Sequence, residues 1–335
     1  MYKENQCLIS FCVPCYKVPI DKVKRCLESI YNCGMYPFNY EIIIVDDGDT
    51  KEKFTELLDT ISVFKKDHDL KNVKIVSHTK NMSLFEARKS AVHVATGAYV
   101  CHVDSDDYLE PNCLRNFTKF YWENEDKWDI IQYNYRVVGD KRNKGLNKKD
   151  YKDEYISDKS LLKLFTVDNG IPGFIWGKLI ARRVYKAAYS RMPDTYVNMS
   201  EDYLAMIFIT TYSRSYKAFK DTYFYNYIRT EDSMTSHIKK ITLDKWKNLL
   251  TVKNVIEYTD PKYFKDDDVK KSIERYHLKM LFELWSTLTL DNMFDSEENK
   301  NEAIKMFIDV FGEKVANELN ETFKIKQKKY KNNDD

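Results

Sequence analysis

The sequence predicts an α/β fold with a mainly parallel sheet flanked by helices and followed by a helical carboxyl-terminal region. Three features predict it: short apolar runs rich in β-branched residues, amphipathic segments between them, and helical periodicity after residue 240. The predicted strands are residues 8–13, 41–45, 73–76, 99–103 and 129–138, and the predicted helices are residues 21–33, 51–64, 83–95 and 112–124. Strands and helices that alternate at this spacing form βαβ units, whose strands run parallel.

Local signals set the boundaries of these elements. Pro14 is expected to end the first strand, and Gly34 is expected to end the first helix. Ser83 and Glu86 have the spacing of a capping box, which predicts the start of the third helix. Gly97 is expected to end that helix before the fourth strand begins.

The pattern is less regular after the charged segment 140–152, which is predicted to be an exposed loop. Helices are expected at 157–165 and 200–211, and a Tyr-rich strand at 216–229. The segment 170–177 is punctuated by Gly, Pro and aromatic residues. From Thr242 onward the chain is predicted to be helical.

Composition excludes several classes of protein. The chain has 335 residues, 43% of them hydrophobic, which is enough to bury the core of one large or two modest domains. The 54 Lys and Arg residues nearly balance 52 Asp and Glu residues, so there is no basic excess of the kind that nucleic-acid binding requires. No apolar run reaches the ~18 residues of a membrane span. Dinucleotide and Walker-type phosphate fingerprints are also absent from the sequence.

The seven cysteines are odd in number and scattered, which favours a reducing, cytoplasmic setting over a disulfide framework. Cys12 and Cys15 have C-x-x-C spacing. Because Pro14 lies between them and no second pair follows, a zinc or redox role is disfavoured.

An acidic cluster, Asp104-Ser105-Asp106-Asp107, directly follows the fourth predicted strand. Carboxylates crowded at a strand end repel one another, and a divalent cation with oxygen ligands would relieve that repulsion. A solvated turn that caps the next helix is the alternative. The loops at Pro14 and at Asp46-Asp47 also follow strand carboxyl ends, so all three should converge on one site.

Five ordered motifs mark the first 138 residues: Ser10–Tyr16, Glu41–Gly48, Asn81 with Ala87-Arg88, Ala95–Tyr99 and Val103–Asp107. In this order and spacing they resemble family 2 glycosyltransferases with the GT-A fold, a Rossmann-like architecture. The resemblance continues loosely through Trp176–Leu179, Glu201-Asp202 and Tyr225–Arg229. Two loop positions depart from the family pattern: Lys17 replaces the usual Asn, and Asp49 replaces the usual Ser.

The resemblance implies inverting transfer of a hexosyl or N-acetylhexosaminyl group from a nucleotide-diphosphate sugar, expected to be a UDP-sugar. The acceptor would be a hydroxyl of a glycan, a lipid-linked glycan or a protein. A GT-A domain would span residues 1–235, with a nucleotide-binding half at 7–138 and an acceptor half at 155–235. Residues 240–335 would form a separate helical region, about which the family pattern implies nothing.

The resemblance also assigns residues to the donor and to a cation. Asp47 would hydrogen-bond the base, although it could instead cap the helix that starts near Lys51. Asp104 would lie near the ribose and the metal, and Asp106 would be the direct ligand of Mn²⁺ or Mg²⁺. The donor-binding residues would be Pro14, Tyr16, Asp46, Asp47, Arg88, Asp104, Ser105 and Trp176. A surface ion pair for Arg88 and a core position for Trp176 are the alternatives.

Asp202, with Glu201 beside it, resembles the catalytic base of the family. A base is needed because the acceptor hydroxyl must lose its proton as it attacks. Both carboxylates could instead serve only the amino terminus of a helix. His237 could contact the diphosphate or the metal, and a surface histidine is the alternative.

Two other functions stay open. A sugar-phosphate nucleotidyltransferase usually carries a Gly- and Arg-rich loop, which this chain lacks after its first strand. A non-catalytic carbohydrate- or partner-binding module could retain the fold. We expect a bacterial, cytoplasmic protein whose basic segment 323–331 makes at most weak contact with the inner face of the cell membrane. A solvated helix end is the simpler interpretation of that segment.

Overall fold

The structure is a computed structural model that describes residues 6–139, 151–229, 241–289 and 293–331, with side chains up to residue 325. The chain divides into two compact units. The first unit comprises Met1–Tyr196 and Asp202–Arg229, and the second comprises Val197–Glu201 and Thr230–Asp335.

Four parallel strands form one side of the sheet in the first unit, in the order β3-β2-β1-β4. These strands are β1 (Ile9–Cys15), β2 (Tyr40–Asp46), β3 (Val73–Ser77) and β4 (Tyr99–His102), and the helices that connect them are α1 (Ile20–Tyr31), α2 (Lys51–Asp67) and α3 (Leu84–Val94). Every residue of β1, β2 and β4 is buried. Burial on both faces explains why these strands are continuous apolar runs, and the predicted βαβ pattern is confirmed.

The first strand does not end at Pro14, as expected, but continues to Cys15. Backbone groups of alternate residues point to opposite neighbours, and the Cys12 carbonyl accepts the N–H of Val103 (3.0 Å). Pro14 therefore faces the β4 side, where strand pairing has already ended at Cys12 and His102. The missing N–H of Pro14 thus leaves no ladder hydrogen bond unmade.

Beyond β4 the sheet is mixed. The remaining elements of this unit are β5 (Tyr108–Leu109), α4 (Phe117–Glu123), β6 (Ile130–Val138), β7 (Glu154–Ile156), α5 (Leu162–Thr166), β8 (Lys178–Ala181), α6 (Arg182–Tyr189), α7 (Glu201–Tyr212) and β9 (Ser215–Ile228). Strand β8 runs antiparallel to β4 and β6, whereas β9 runs parallel to β6. Strands β5 and β7 pair antiparallel with β9.

Several boundaries in this half differ from the prediction. The helix expected at 157–165 begins only at Leu162; before it, the backbone N–H groups of Ser157 and Leu161 donate to the carbonyls of Arg214 and Ser213. The helix expected from Asn112 begins at Phe117. Strand β8 and helix α6 were not predicted, since segments of four and eight residues are short for a period to be recognised.

The capping box expected at α3 does not form. Ser83 has a φ of 91° and makes no side-chain cap hydrogen bond. The carboxylate of Glu86 instead accepts the backbone N–H of Thr195 (2.9 Å) and the ammonium of Lys89 (3.2 Å). Tertiary contacts, rather than local capping, therefore fix the start of this helix.

The second unit is helical, as expected from the periodicity after Thr242. Its helices are α8 (Leu243–Leu250), α9 (Val252–Tyr258), α10 (Asp267–Thr289), α11 (Glu297–Phe311) and α12 (Glu313–Lys331). Trp246 is fully buried and donates its indole N–H to the carbonyl of Ala303 (3.0 Å). Phe307 packs edge-on against Trp285, with ring centroids 5.2 Å apart. These contacts form a core that belongs to this unit.

No helix within the described residues is both long enough and apolar enough to cross a bilayer. The basic segment 323–331 is at the end of α12, where side chains are described only as far as residue 325. The predicted membrane contact therefore falls largely outside the described side chains.

Candidate active site

The predicted site loops follow β1, β2 and β4 at one edge of the sheet. Cys15 at the end of β1 lies opposite Asp46 at the end of β2, and His102 at the end of β4 lies opposite Cys12. Because these strands are parallel neighbours, the acidic loops after β2 and β4 come from the same edge.

Asp47 is buried and organises the segment 78–83 by accepting four hydrogen bonds. The donors are Nδ1 of His78 (2.7 Å), Nδ2 of Asn81 (2.8 Å) and the backbone N–H groups of Met82 (2.8 Å) and Ser83 (3.1 Å). Burial raises the pKa of Asp47, and the hydrogen bond from His78 opposes that shift. Helix α2 is capped by Thr50, so the alternative that Asp47 caps it is wrong.

Asp46 links the loop after β2 to the next strand. Its carboxylate accepts the hydroxyl of Ser77 (2.8 Å) and the backbone N–H of Asp49 (3.2 Å). Asp49 in turn accepts the backbone N–H of Lys17 (2.7 Å), which has a φ of 54°. The two positions that depart from the family pattern are therefore hydrogen-bonded to each other.

The loop after β1 has buried residues beneath one exposed aromatic ring. Pro14 is buried, whereas Tyr16 is 38% exposed, with the ammonium of Lys17 4.9 Å from its ring centroid. Ser105 is also buried. Tyr16 is thus the one of these three predicted donor residues that presents a face to solvent.

Arg88 joins two predicted site carboxylates. Its Nη2 donates to Oδ1 of Asp104 (2.8 Å), and its Nη1 donates to Oδ1 of Asp202 (2.6 Å). The Arg88 side chain is 3% exposed, whereas the carboxylates are 23% and 22% exposed. A surface ion pair does not describe this arrangement, since the guanidinium is buried and each carboxylate keeps part of its surface open.

Asp202 lies in the first turn of α7, where burial and neighbouring groups act on its carboxylate. Burial raises its pKa, Arg88 lowers it, and the negative charge of Asp104 raises it. The nearby backbone N–H of Ile175 lowers the pKa as well. A carboxylate that is held in place and has a raised pKa is suited to accept a proton.

The three carboxylates of the acidic cluster have different partners. Asp107 is buried and accepts the hydroxyl of Tyr225 (2.8 Å) and the backbone N–H of Ile228 (2.7 Å). The same Tyr225 hydroxyl accepts the backbone N–H of Asp104 (3.0 Å), so one side chain ties both ends of the cluster. Burial, together with Asp104, raises the pKa of Asp106.

The acidic cluster fits a cation that is shared with a substrate. Within the described parts of the chain, no three His, Cys, Asp or Glu side chains form a ready metal site. Asp107 is engaged by Tyr225, but Asp106 and the open surface of Asp104 leave two carboxylates available. Mg²⁺ is typically held by one or two carboxylates together with substrate phosphates, which matches this donor set.

Trp176 lies within a stack of aromatic rings. Its ring is nearly parallel to those of Phe174, Tyr225 and Tyr227, with centroids 3.9, 4.8 and 5.4 Å away. The residue is 9% exposed. This packing favours the alternative of a core position, in which Trp176 supports a pocket wall instead of offering a free face.

Glu201 begins α7 and is grouped with the second unit, whereas Asp202 is grouped with the first. His237 lies outside the described residues.

Sequence reasoning missed how Tyr225, Ile175 and Lys178 contribute. Tyr225 was noted only as part of a loose motif, although its hydroxyl bridges Asp104 and Asp107. The nearby backbone N–H of Ile175 lowers the pKa of Asp202, and no side-chain motif can indicate a backbone group. Lys178 is buried, and its charge lowers the pKa of Asp202; a charged residue inside the apolar segment Lys178–Ala181 was the available signal for it.

Comparison with known sequences identifies a family over half of the chain. The sequence model of "Glycosyl transferase family 2" matches residues 10–186. The poly(ribitol-phosphate) beta-glucosyltransferase of Bacillus spizizenii is 36% identical over 118 residues, which are 35% of this chain and 18% of that protein. The chain thus aligns with less than a fifth of that relative's length.

Two solved structures share the fold. S. aureus TarS 1-349 in complex with UDP-GlcNAc superimposes with a TM-score of 0.58 at 17% identity, covering 92% of this chain and 82% of that one. Mannosyltransferase PcManGT from Pyrobaculum calidifontis, in complex with GDP-Man and Mn²⁺, has a TM-score of 0.55 at 13% identity and covers 96% and 81%. At these identities the likeness shows the fold, and the GT-A class expected from the sequence is confirmed.

Proposed function

The chain belongs to glycosyl transferase family 2, and we propose that it transfers a sugar, with inversion, from a UDP-sugar to an acceptor hydroxyl. The observation that carries this proposal is the Arg88 bridge between Asp104 and Asp202. One carboxylate belongs to the predicted donor side, and the other is the predicted base. Their shared contact supports a single reaction centre at this edge of the sheet.

The proposed donor site is formed by the loops after β1, β2 and β4. The exposed ring of Tyr16 would pack against the nucleoside, while Pro14 and Ser105 fix the loops beneath it. Asp46 and Asp47 hold the neighbouring loop, and Asp47 would recognise the base together with the segment it organises. UDP is the proposed nucleotide because TarS, which shares the fold, was solved with UDP-GlcNAc.

Asp106 and Asp104 would hold Mn²⁺ or Mg²⁺ together with the donor diphosphate. When bound, such an ion offsets the negative charge that develops on the departing diphosphate. Asp107 and Tyr225 would keep the cluster in shape without binding the ion, because both oxygens of Asp107 already accept hydrogen bonds from the protein. The PcManGT structure, which contains Mn²⁺, supports a divalent cation on this fold.

Asp202 would accept the proton of the acceptor hydroxyl. The acceptor oxygen forms its bond to the anomeric carbon from the face opposite the diphosphate, while the bond to the diphosphate oxygen breaks, which inverts the configuration. Arg88 orients the Asp202 carboxylate. We propose Asp202 rather than Glu201 as the base, because the Arg88 bridge joins Asp202 to the donor-side carboxylate of Asp104.

A glycan is the proposed class of acceptor; the relative named above, a poly(ribitol-phosphate) beta-glucosyltransferase, is likewise named for a hydroxyl-bearing polymer. We propose that a glycosyltransferase domain spans residues 1–235, with a nucleotide-binding half at 7–138 and an acceptor half at 155–235. Residues 240–335 would form the accompanying helical region. A cytoplasmic location, with weak peripheral contact at the cell membrane, belongs to the same proposal.

Calorimetric titration with UDP, with and without Mn²⁺, tests the donor site. Asp106→Asn should weaken Mn²⁺-dependent UDP binding by about tenfold or more while the protein stays folded, since the substitution relieves repulsion between carboxylates. Asp59→Asn, at an exposed position on α2, is the matched control and should bind as the unchanged protein does. Unchanged Mn²⁺-dependent UDP binding by Asp106→Asn would contradict the assignment of Asp106 as a metal ligand. Tighter binding of GDP than of UDP would show that the donor nucleotide is GDP.

A second measurement separates the competing functions. Incubation with UDP-sugars and Mn²⁺ should release UDP slowly through transfer to water and faster with a suitable glycan. A nucleotidyltransferase would instead release pyrophosphate from a nucleoside triphosphate and a sugar phosphate. A binding module would release neither product.

A further inference from the structure

The chain between α6 and α7 is held against helix α3 by side-chain hydrogen bonds. The ammonium of Lys89 donates to the carbonyl of Pro193 (3.0 Å) and to Oδ1 of Asp194 (2.6 Å). The carboxylate of Glu86 accepts the backbone N–H of Thr195 (2.9 Å). Because three successive residues are bound to one helix, the residue that follows them is restrained as well.

That residue is Tyr196, and its side chain reaches the segment that Asp47 organises. The Tyr196 hydroxyl donates to Oδ1 of Asn81 (2.8 Å), and Nδ2 of Asn81 donates to Oδ2 of Asp47 (2.8 Å). The Tyr196 residue is nevertheless 43% exposed. A tyrosine that is anchored by its hydroxyl while part of its surface stays open is a restrained aromatic surface, which suits ligand binding. Tyr196 lies beyond residue 186, where the family match ends.

Both neighbours of the Asp47 loop are associated with an exposed tyrosine. On the β1 side, the backbone N–H of Asp47 donates to the carbonyl of Cys15 (2.9 Å), and Tyr16 is the next residue. On the β3 side, a Cβ on the glycine that follows Asp47 would lie only 2.5 Å from the backbone N of Asn81, so the two segments are in direct contact. Asp47 is therefore linked through one residue to each of two exposed aromatic rings, those of Tyr16 and Tyr196.

We propose that Tyr196 is a nucleobase-binding residue of the donor site, with its ring as one wall of the base pocket and Asn81 as the anchor of that ring. The inference rests on the proposed recognition of the base at Asp47. A planar base buries its faces against an aromatic ring, and an anchored ring loses little conformational freedom on binding. The diphosphate makes no use of this contact, so the contribution of Tyr196 should appear only for ligands that carry a nucleoside.

The test compares UDP with pyrophosphate, each titrated by calorimetry in the presence of Mn²⁺. Pyrophosphate keeps the metal-binding part of the donor but lacks the nucleoside. Tyr196→Ala should weaken UDP binding by about tenfold or more, the range expected when a base loses a stacked aromatic ring. Its affinity for pyrophosphate should stay within about twofold of that of the unchanged protein.

Tyr196→Phe separates the ring from its anchor. This variant keeps the aromatic ring but cannot donate to Asn81, so the ring is less restrained. We expect UDP binding to weaken by about threefold, as for the loss of one hydrogen bond, with pyrophosphate binding again unchanged.

Tyr155→Ala is the matched control. Tyr155 is 37% exposed and lies on β7, which pairs with β9 toward the opposite end of the sheet from β2 and β3. Its substitution should leave the affinities for both ligands unchanged. Circular dichroism checks the folding of every variant, and Tyr196→Leu replaces Tyr196→Ala, with the same expected loss, if the latter lacks the native spectrum.

Unchanged UDP binding by Tyr196→Ala would overturn the inference. An equal loss of affinity for UDP and for pyrophosphate would also overturn it, because it would show a merely structural role. Full UDP affinity in Tyr196→Phe would overturn the anchoring role of the hydroxyl. Failure of the proposed function looks different: the unchanged protein would then bind UDP no more tightly than pyrophosphate, and the donor site itself would be wrong.

Discussion

Arg88 is one residue that affects both the charge balance and the position of two carboxylates in the candidate site. Two carboxylates share one buried guanidinium, which offsets their negative charge and holds each of them in place. Complete removal of the guanidinium would leave both carboxylates uncompensated, at a cost of about 3–5 kcal/mol in the free energy of unfolding. A substitution that keeps the charge is therefore the informative one.

Arg88→Lys should fold but lose function. A single ammonium cannot reproduce the planar fork that reaches Asp104 with one nitrogen and Asp202 with the other. We expect kcat to fall by about tenfold or more, measured by release of UDP from a UDP-sugar with Mn²⁺. Arg183→Lys is the matched control, because Arg183 pairs with Asp129 (2.8 Å) and is half-exposed. Wild-type kcat in Arg88→Lys would show that the bridge is not needed for transfer.

The sequence predicted the residues of the site better than their contacts. The acidic cluster, the Asp46-Asp47 pair and Arg88 carry local motifs, so each could be assigned without a structure. The hydroxyl of Tyr225 reaches Asp107 across 118 positions of the sequence, and no local pattern encodes that distance. The hydrogen bond between Lys17 and Asp49 likewise appears only when two loops meet.

At the scale of elements, burial on both faces made the first half of the sheet predictable. Strands β1 and β2 are continuous apolar runs because helices cover both sides of them. Strands β7 and β8 have three and four residues, and their pairing is set by β9 and by β4 with β6. Such short segments carry too little pattern to be distinguished from loops or helices.

The junction between α9 and α10 should make the second unit sensitive to acid. His277 on α10 is buried, and its Nε2 lies 2.8 Å from Oγ1 of Thr259. The Thr259 hydroxyl already donates to the carbonyl of Val255 (2.6 Å), so Nε2 must carry the proton that the pair shares. Burial lowers the pKa of His277 to about 4, although Asp260 opposes the shift.

The direction of this pH dependence of stability follows because the folded protein keeps the imidazole of His277 neutral. The unfolded chain binds a proton at His277 near pH 6.5, and the folded chain does so only near pH 4. Stability from this group is therefore present above about pH 6.5 and is lost as the pH falls toward 4, by up to about 3 kcal/mol. His277→Gln should lose less free energy of unfolding between pH 7 and pH 4.5 than the unchanged protein, as measured by urea unfolding.

His93→Gln, at an exposed position on α3, is the control for the histidine prediction. This variant should lose as much stability in acid as the unchanged protein does, because it retains His277 and the same carboxylates. An acid sensitivity of His277→Gln equal to that of the control would show that the buried imidazole does not contribute.

At the scale of the whole molecule, the candidate donor site belongs to one of the two units. Asp47, Arg88, Asp104 and Asp106 all lie in the first unit, whereas the Trp246 and Phe307 contacts lie in the second. Each unit has its own buried core. If donor binding depends on the first unit alone, a substitution in the core of the second unit should lower stability without weakening the binding of UDP.

Phe307→Ala tests this division. Phe307 is fully buried between Trp285 and Phe311, and its truncation should cost about 3–5 kcal/mol in the free energy of unfolding. At about 10 °C, where the variant stays folded, its affinity for UDP with Mn²⁺ should remain within about twofold of the unchanged protein. Ile43→Ala, which opens a cavity in β2 just before Asp46, is the matched core substitution and should weaken UDP binding. Loss of UDP binding by Phe307→Ala samples with a native circular dichroism spectrum would show that the helical unit is required to form the donor site.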